Sequence, residues 1–216
     1  MILVGEQEAR DWVATTFDVS RDTMTRLEDF ADLLRRENER QNLVSRSTLD
    51  HVWTRHIADS AQLLRFAPSP DATWLDLGTG AGFPGLIVAS LHAGPGTLVE
   101  SRRLRVEFLE AAAATLGIKP RIVLDRLERL EPEQYDVISA RAFARTDQLL
   151  RLAHRFSTEK TRWILPKGRT AHEELAETHS TWQGEFRLEP SLTDPDARII
   201  IAEGVRPRAG PPRQRK

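Results

Sequence analysis

The sequence predicts an α/β fold, a mostly parallel, doubly wound sheet of seven strands behind a helical N-terminal cap. Three observations predict it. Short β-rich runs alternate with helix-length segments from residue 74 onward, a pattern typical of parallel sheets with helices on both faces. A glycine-rich segment follows the first of these runs, at the position where doubly wound sheets bind ligands. Helical periodicity precedes the glycine-rich segment. A composition of 40% hydrophobic and 29% charged residues allows the chain to form a hydrophobic core.

Two helices are predicted before the first strand. Apolar residues recur every three or four positions over residues 24–34, and Ser20 is the expected N-cap of that helix. A second helix is expected to begin near Ser47, with an acidic residue three positions later. The proline-rich segment 68–71 breaks the helical pattern. The cap is therefore expected to span residues 1–70.

The alternating part, residues 71–204, is predicted to form the sheet. Helices are expected from Pro84 and from about Arg102 to Leu116. The segment 189–197 holds two prolines and is too short for a helix, which favours an antiparallel hairpin at the sheet edge. Strands are predicted at residues 74–77, 97–100, 122–124, 137–139, 163–165, 186–188 and 198–202. Residues 205–216 carry five basic residues and no acid, and are predicted to be a disordered basic tail.

Composition excludes several classes of function. The absence of cysteine excludes disulfides, thiolate metal sites and a covalent cysteine mechanism. A net charge of -1 argues against non-specific coating of nucleic acid but allows a local basic patch. No apolar run approaches 18 residues, and no secretory signal opens the chain. We therefore expect a cytoplasmic protein without membrane or metal partners.

The segment from Asp76 to Gly85, Asp-Leu-Gly-Thr-Gly-Ala-Gly-Phe-Pro-Gly, lies between the first strand and the helix that follows. Its glycines allow a sharp turn and close approach of a ligand. The pattern fits a nicotinamide dinucleotide as well as S-adenosylmethionine, because the carboxylate of Glu100, at the end of the second strand, can bind the ribose hydroxyls of either. The absence of a substrate domain and of an evident proton relay favours S-adenosylmethionine over an oxidoreductase.

Further short motifs extend this pattern along the chain. They are Asn42-Leu43-Val44-Ser45, Arg55-His56-Ile57-Ala58-Asp59-Ser60, Glu100-Ser101, Phe108-Leu109, Ser139-Ala140-Arg141-Ala142-Phe143 and Leu165-Pro166-Lys167-Gly168. In this order and spacing, over about residues 20 to 204, the chain resembles the ribosomal RNA small subunit methyltransferase G family. The resemblance implies a Rossmann-like class I methyltransferase that uses S-adenosylmethionine to methylate N7 of a guanosine in the 530 loop of bacterial 16S rRNA.

The resemblance also implies site residues. Gly78 and Phe83 would line the cofactor site, Leu127 and Glu128 would hold the adenine, and Arg141 would complete the site. The other cofactor candidates come from the glycine segment and the second strand: Asp76, Gly80, Gly82 and Glu100. The sequence departs from the family in one place. The family usually has two adjacent basic residues soon after Glu100-Ser101, whereas this chain has Leu104 before Arg105. The departure affects one RNA or cofactor contact.

The chemistry agrees with this interpretation. Without cysteine, a covalent adduct with cytosine is excluded, and the fourth strand is not followed by the Asn/Asp-Pro-Pro-aromatic motif of amino-group methyltransferases. Guanine N7 has a free lone pair and no proton, so its methylation requires no base. The catalytic candidates are Lys167, to hold O6 or a phosphate, and Arg55, as a phosphate contact or simply a solvated charge.

The expected partner is 16S rRNA or a small ribosomal subunit particle, bound by a monomer. An RNA-binding assembly factor that keeps the cofactor only as a structural ligand is the non-enzymatic alternative. The sequence leaves open whether naked rRNA, an assembly intermediate or the intact subunit is the substrate.

Overall fold

The computed structural model describes residues 2–208, which contain one seven-stranded sheet with the order β3-β2-β1-β4-β5-β7-β6. The strands β1 to β5 are parallel, and β7 is antiparallel to both β5 and β6. Both the parallel sheet and the antiparallel edge hairpin predicted from the sequence are confirmed. The strands are β1 (Trp74–Leu77), β2 (Gly96–Glu100), β3 (Arg121–Leu124), β4 (Val137–Ser139), β5 (Arg162–Lys167), β6 (Trp182–Pro190) and β7 (Arg198–Pro207).

The prediction of a tail that begins at residue 205 is wrong for its first residues. The strand β7 continues to Pro207, and Trp182 pairs with Pro207 at the far end of the hairpin. Val205 is buried, so an apolar anchor holds this end of β7 on the sheet. Residues 209–216, the remainder of the predicted tail, lie outside the described residues.

Helices cover both faces of the sheet. Among the described residues, no helix is both long and apolar enough to cross a bilayer. The α-helices are α1 (Glu6–Thr16), α2 (Arg21–Gln41), α3 (Asp59–Ala61), α4 (Gly85–Leu91), α5 (Arg103–Leu116), α6 (Thr146–Ala153) and α7 (Ala171–Thr181). Short 3₁₀ helices lie at Arg46–His51, Gln62–Phe66, Leu127–Arg129 and His154–Phe156, and a π-helix lies at Trp53–Ala58.

The cap agrees only in part with the sequence prediction. Ser20 is the N-cap of α2, and its hydroxyl accepts a hydrogen bond from the Thr23 amide. Ser47 is not a cap, because the helical stretch begins as a 3₁₀ helix after Ser45, and the hydroxyls of Ser45 and Ser47 hydrogen-bond with each other. The helix α1 has no counterpart among the helices predicted from the sequence.

The cap shares a hydrophobic core with the sheet rather than forming a separate body. Phe30 of α2 packs against Phe83 of the glycine segment and Phe108 of α5, with ring centroids 5.6 and 6.4 Å apart. One buried cluster extends from the cap helices to α4 and α5, and another, with Leu75 and Trp163, fills the opposite face of the sheet. This packing fixes the π-helix and α3 beside the carboxyl ends of the strands.

Candidate active site

The loop between β1 and α4 carries three glycines in the left-handed backbone region. Gly78, Gly80 and Gly82 have φ of 63°, 59° and 89°, a conformation that is costly for residues with a Cβ atom. Space is restricted as well, since a Cβ atom on Gly82 would overlap with the side chain of Leu86. The alternating glycines therefore allow the sharp turn at the carboxyl end of β1.

Gly78 also allows a close approach, but the approaching group belongs to the protein itself. A Cβ atom at this position would overlap with Cδ2 of Phe143, a residue that follows β4 beside the glycine loop. The sequence pattern predicts contact of Gly78 with a ligand. The structure supplies a direct reason for the glycine, the ring of Phe143.

Asp76 lies beneath the glycine loop and is fully buried. Its carboxylate accepts hydrogen bonds from the Gly85 amide at 3.0 Å and the Ser139 hydroxyl at 2.7 Å, and Ser139 in turn accepts one from Trp74 Nε1. Burial raises the pKa of Asp76 to about 6 although these hydrogen bonds oppose the shift. Asp76 therefore fastens the loop to β1 and β4.

Glu100, at the end of β2, holds the other side of the loop. Its Oε2 accepts a hydrogen bond from the Gly80 amide at 3.1 Å, and its Oε1 accepts from the amides of Ser101 and Arg102 at 2.7 and 2.9 Å. Arg105 Nη1 lies 3.6 Å from Oε2, beyond good hydrogen-bond distance. The carboxylate is only 5% exposed, yet it keeps acceptor capacity on Oε2.

Beside this carboxylate lies a cavity of about 420 Å³, which we call the glycine-loop cavity. Four of the nine predicted cofactor residues line it: Gly78, Glu100, Leu127 and Glu128. The other five predicted cofactor residues lie outside the lining of this cavity. Asp76 lies beneath the loop, Gly80 and Gly82 shape it, Phe83 is 2% exposed in the core, and Arg141 lines a second cavity.

The second cavity, of about 520 Å³, opens at the carboxyl ends of β4 and β5, and we call it the polar cavity. Its lining includes Arg55, Arg141, Lys167 and Arg198. Residues 142 and 143 line both cavities. Lys167 and Arg55, the two catalytic candidates from the sequence, both line this cavity.

Arg141 connects the polar cavity to the cap. Its guanidinium donates hydrogen bonds to His56 Nδ1 at 3.3 Å, lies 3.4 Å from Asp59 Oδ2 and covers the ring of Phe83 at 5.0 Å. Because arginine can only donate, Nδ1 of His56 is the acceptor and Nε2 carries the proton, which it donates to Thr48 Oγ1 at 2.9 Å. Burial and the cation of Arg141 lower the pKa of His56 to about 3, so the imidazole is neutral.

Lys167 is less free than the sequence suggested. Its ammonium group donates to the Ala144 carbonyl at 2.9 Å and lies 3.0 Å from Glu174 Oε2, with 10% of the side chain exposed. Burial raises the pKa of Glu174, but the contacts with Lys167 and Thr146 outweigh it and hold that pKa below its usual value. One N–H of the three on Lys167 is left for a ligand.

Arg55 is ion-paired as well, with Asp194 Oδ2 2.9 Å from its Nη1. The hydrogen bond from Arg55 lowers the pKa of Asp194. The side chain of Arg55 remains 44% exposed at the mouth of the polar cavity. It is therefore accessible to a phosphate, at the cost of weakening an ion pair.

Sequence reasoning missed the residues that hold these groups. Asp194, in the β6–β7 connection, lies 139 positions from Arg55, whereas Glu174 of α7 lies only seven residues after Lys167. Gln62 was also missed, although a glutamine between Ala61 and Leu63 is a polar residue in an apolar run and could have been noticed. No group of three or more His, Asp and Glu side chains among residues 2–208 is arranged to hold a metal ion.

Comparison with known proteins identifies the family of the chain. The sequence model of the family described as rRNA small subunit methyltransferase G matches residues 23–192. Proteins named ribosomal RNA small subunit methyltransferase G from Rhizorhabdus wittichii and Zymomonas mobilis are 52% and 49% identical over 207 and 210 residues. Each alignment covers 94% of this chain, and 94% and 95% of the two relatives respectively.

Solved structures show the same fold at low sequence identity. An O-methyltransferase from Bacillus cereus, described as in complex with SAH, superposes with a TM-score of 0.60 at 12% identity, covering 90% of this chain and 96% of that one. A ribosomal protein L11 methylase from Lactobacillus delbrueckii gives 0.56 at 16% identity, covering 70% and 78%. These likenesses concern the fold alone.

Proposed function

The chain belongs to the ribosomal RNA small subunit methyltransferase G family, and we propose that it transfers a methyl group from S-adenosylmethionine to N7 of a guanosine in the 530 loop of bacterial 16S rRNA. The observation that carries this proposal is the pair of adjoining cavities at the carboxyl ends of the strands. One has walls suited to a nucleoside, the lining of the other includes four arginines and Lys167, and Ala142 and Phe143 line both.

The residues of the glycine-loop cavity fit S-adenosylmethionine. Leu77, Val99 and Leu127 provide apolar walls for an adenine, and Glu100 provides carboxylate oxygens for the ribose hydroxyls. Oε2 of Glu100 has room for such a hydrogen bond, because its contact with Arg105 is long. The bound cofactor supplies an electrophilic methyl group on a sulfonium.

The polar cavity fits a reaction that needs positioning rather than proton removal. Guanine N7 carries a lone pair in the plane of the ring and no proton, so alignment and electrostatics suffice for attack on the methyl group. The imidazole of His56 is committed at both nitrogens, to Arg141 and Thr48, and does not serve as a base in this arrangement. The residues of the polar cavity thus orient the guanine and its phosphates.

We propose that Lys167 binds O6 of the guanine or a neighbouring phosphate through its remaining N–H. Lys167→Ala should lower turnover on rRNA at least tenfold with little change in cofactor affinity, and Lys167→Arg should recover part of it. Glu174→Gln is the matched control, because it removes the ion pair but keeps the ammonium. If Glu174→Gln loses as much activity as Lys167→Ala, the ion pair rather than substrate contact explains the loss.

The function is tested by mapping N7-methylguanosine on 16S rRNA from a strain that lacks this chain and from the same strain complemented. We expect one guanosine in the 530 loop to lose and regain its methyl group. Transfer of labelled methyl in vitro to naked rRNA, partly assembled particles and intact small subunits then identifies the substrate form. Unchanged methylation in the deletion strain, or no transfer to any of the three, contradicts the proposal.

The same proposal places the chain in the cytoplasm, where ribosomal particles assemble. We further propose that the protein acts there as a monomer.

A further inference from the structure

Phe143 is an exposed aromatic residue in an unusual place. Four large hydrophobic side chains among residues 2–208 are exposed, namely Ile2, Val4, Leu104 and Phe143, and only Phe143 is aromatic. It is 37% exposed and lines both the glycine-loop cavity and the polar cavity. An exposed aromatic ring where two cavities meet has a π face that is accessible to a ligand.

Its backbone and one part of its ring are held in place. The preceding residue, Ala142, has φ of 52°, a left-handed conformation that is uncommon for a residue with a Cβ atom. The ring lies against the backbone of Gly78 so closely that no Cβ atom fits there. The ring is thus fixed against the glycine loop while the rest of it remains accessible.

No other aromatic ring of the polar cavity is available to a base. His56 lines the same cavity, but it is 7% exposed and its ring is stacked on Phe83, with centroids 4.9 Å apart. The remaining lining is dominated by charged groups such as Arg55 and Lys167, which suit oxygen atoms and phosphates rather than the face of a base. Phe143 is therefore the accessible π surface among the described residues of this cavity.

We infer that Phe143 is the residue on which the target guanine stacks during methyl transfer. The inference rests on the proposed function and adds a specificity residue to it. In-line attack requires N7 beside the methyl group, which places the base where the two cavities meet. A base removed from its stack in RNA loses its neighbours, and enzymes commonly replace them with an aromatic side chain. Phe143 lies at that meeting point.

The test compares Phe143→Leu with Phe143→Tyr. Leucine keeps an apolar side chain but removes the ring, whereas tyrosine keeps the ring. We expect Phe143→Leu to lower kcat/KM on the small subunit roughly 5-fold to 150-fold, the range that corresponds to loss of one base–aromatic stack. Phe143→Tyr should remain within about threefold of the wild type. Val4→Ala, at an exposed aliphatic residue outside both cavities, is the control and should have no effect on turnover.

Calorimetry with S-adenosylmethionine separates this role from a role in cofactor binding, and cofactor affinity should stay within about threefold in both variants. Phe143→Met, with circular dichroism, repeats the test in a second ring-free variant in case leucine disturbs the loop. Wild-type turnover in a folded ring-free variant, or a loss of cofactor affinity as large as the loss of turnover, would overturn the inference. Absence of methyl transfer by the wild-type protein would instead overturn the proposed function.

Discussion

Gly78 and Gly80 have almost the same backbone conformation, with φ of 63° and 59°, but different surroundings. A Cβ atom on Gly78 would overlap with Phe143, whereas on Gly80 its nearest neighbour would be Arg105 Nη1 at 3.5 Å. Substitutions at the two glycines therefore separate the energetic cost of a left-handed backbone from the cost of moving the ring of Phe143.

We expect Gly80→Ala to destabilise the fold by about 1–2 kcal/mol, the cost of left-handed backbone for a residue with Cβ. Gly78→Ala should cost more, by roughly 1 kcal/mol or greater, and should reduce methyl transfer further, because Phe143 must leave its position. Urea unfolding and transfer of labelled methyl measure the two effects. Equal losses in both variants would show that the ring of Phe143 moves without cost.

The buried imidazole of His56 makes the stability of the folded protein depend on pH. Burial, with Arg141 and Arg55 nearby, lowers its pKa from 6.5 to about 3 in the folded state. Between these values the unfolded chain binds the proton and the folded chain does not. The contribution of His56 to stability is therefore complete above pH 6.5 and is lost as the pH falls towards 3.

The variant His56→Asn cannot be protonated and keeps a hydrogen-bonding side chain. Its free energy of unfolding should fall less steeply between pH 6.5 and 4.5 than that of the wild type, by about 1–3 kcal/mol over this range. His51→Asn, at an exposed histidine, is the control and should follow the wild-type curve. Parallel curves for His56→Asn and the wild type would mean that His56 is protonated in the folded protein.

Among the elements, the connection between β6 and β7 is attached to the cap through Gln62, which is fully buried. Its Oε1 accepts a hydrogen bond from the Leu192 amide at 2.8 Å, and its Nε2 donates to Asp59 Oδ1 at 2.9 Å and to Ser191 Oγ at 3.2 Å. Ser191 lines the polar cavity, so this contact also shapes the proposed RNA site.

Gln62→Leu keeps the size of the side chain but leaves the Leu192 amide without its partner. We expect a loss of about 1–3 kcal/mol in the free energy of unfolding and a raised KM for the small subunit, with unchanged affinity for S-adenosylmethionine. Gln134→Leu removes a single exposed hydrogen bond to the Arg155 carbonyl and is the control. An unchanged KM in a destabilised Gln62→Leu protein would show that the connection does not contact RNA.

The sequence predicted the elements whose signals are local. Prolines 190 and 195 indicated the hairpin, and the glycines after Leu77 indicated the loop that closes β1. It did not predict α1, whose Glu6 accepts hydrogen bonds from the amides of Trp53 and Thr54, because that contact joins residues more than 40 positions apart.

The same distinction between local signals and contacts of distant residues applies to the candidate site. Glu100 ends β2 and Leu127 follows β3, as their places in the sequence pattern predict, and both line the glycine-loop cavity. Arg141 lies instead in the polar cavity, because His56 and Asp59 of the cap draw its guanidinium towards them. Sequence position alone does not determine which way a long side chain extends once a second element packs beside it.

At the scale of the whole molecule, the question is how a chain with a net charge of -1 binds a polyanion. Part of the answer lies in the distribution of charge. The polar cavity is lined by four arginines and Lys167 against three carboxylates, a local excess of two positive charges, and residues 213, 215 and 216 add three more positive charges to the chain. Neutralising those three would change the net charge from -1 to -4.

We therefore expect the triple variant Arg213→Gln, Arg215→Gln and Lys216→Gln to bind 16S rRNA more weakly at low salt while its affinity for S-adenosylmethionine is unchanged. Each phosphate contact with single-stranded RNA contributes about 0.7 to the slope of log K against log salt concentration. If all three cations contact phosphates, the slope should become shallower by about 2, and the affinities of variant and wild type should converge as salt rises. Filter binding across a salt series measures this directly, because a loss of local structure would lower affinity equally at every salt concentration, whereas a loss of phosphate contacts changes the slope. Parallel lines would show that these three residues contribute no phosphate contacts and that the cations around the polar cavity account for the electrostatic binding.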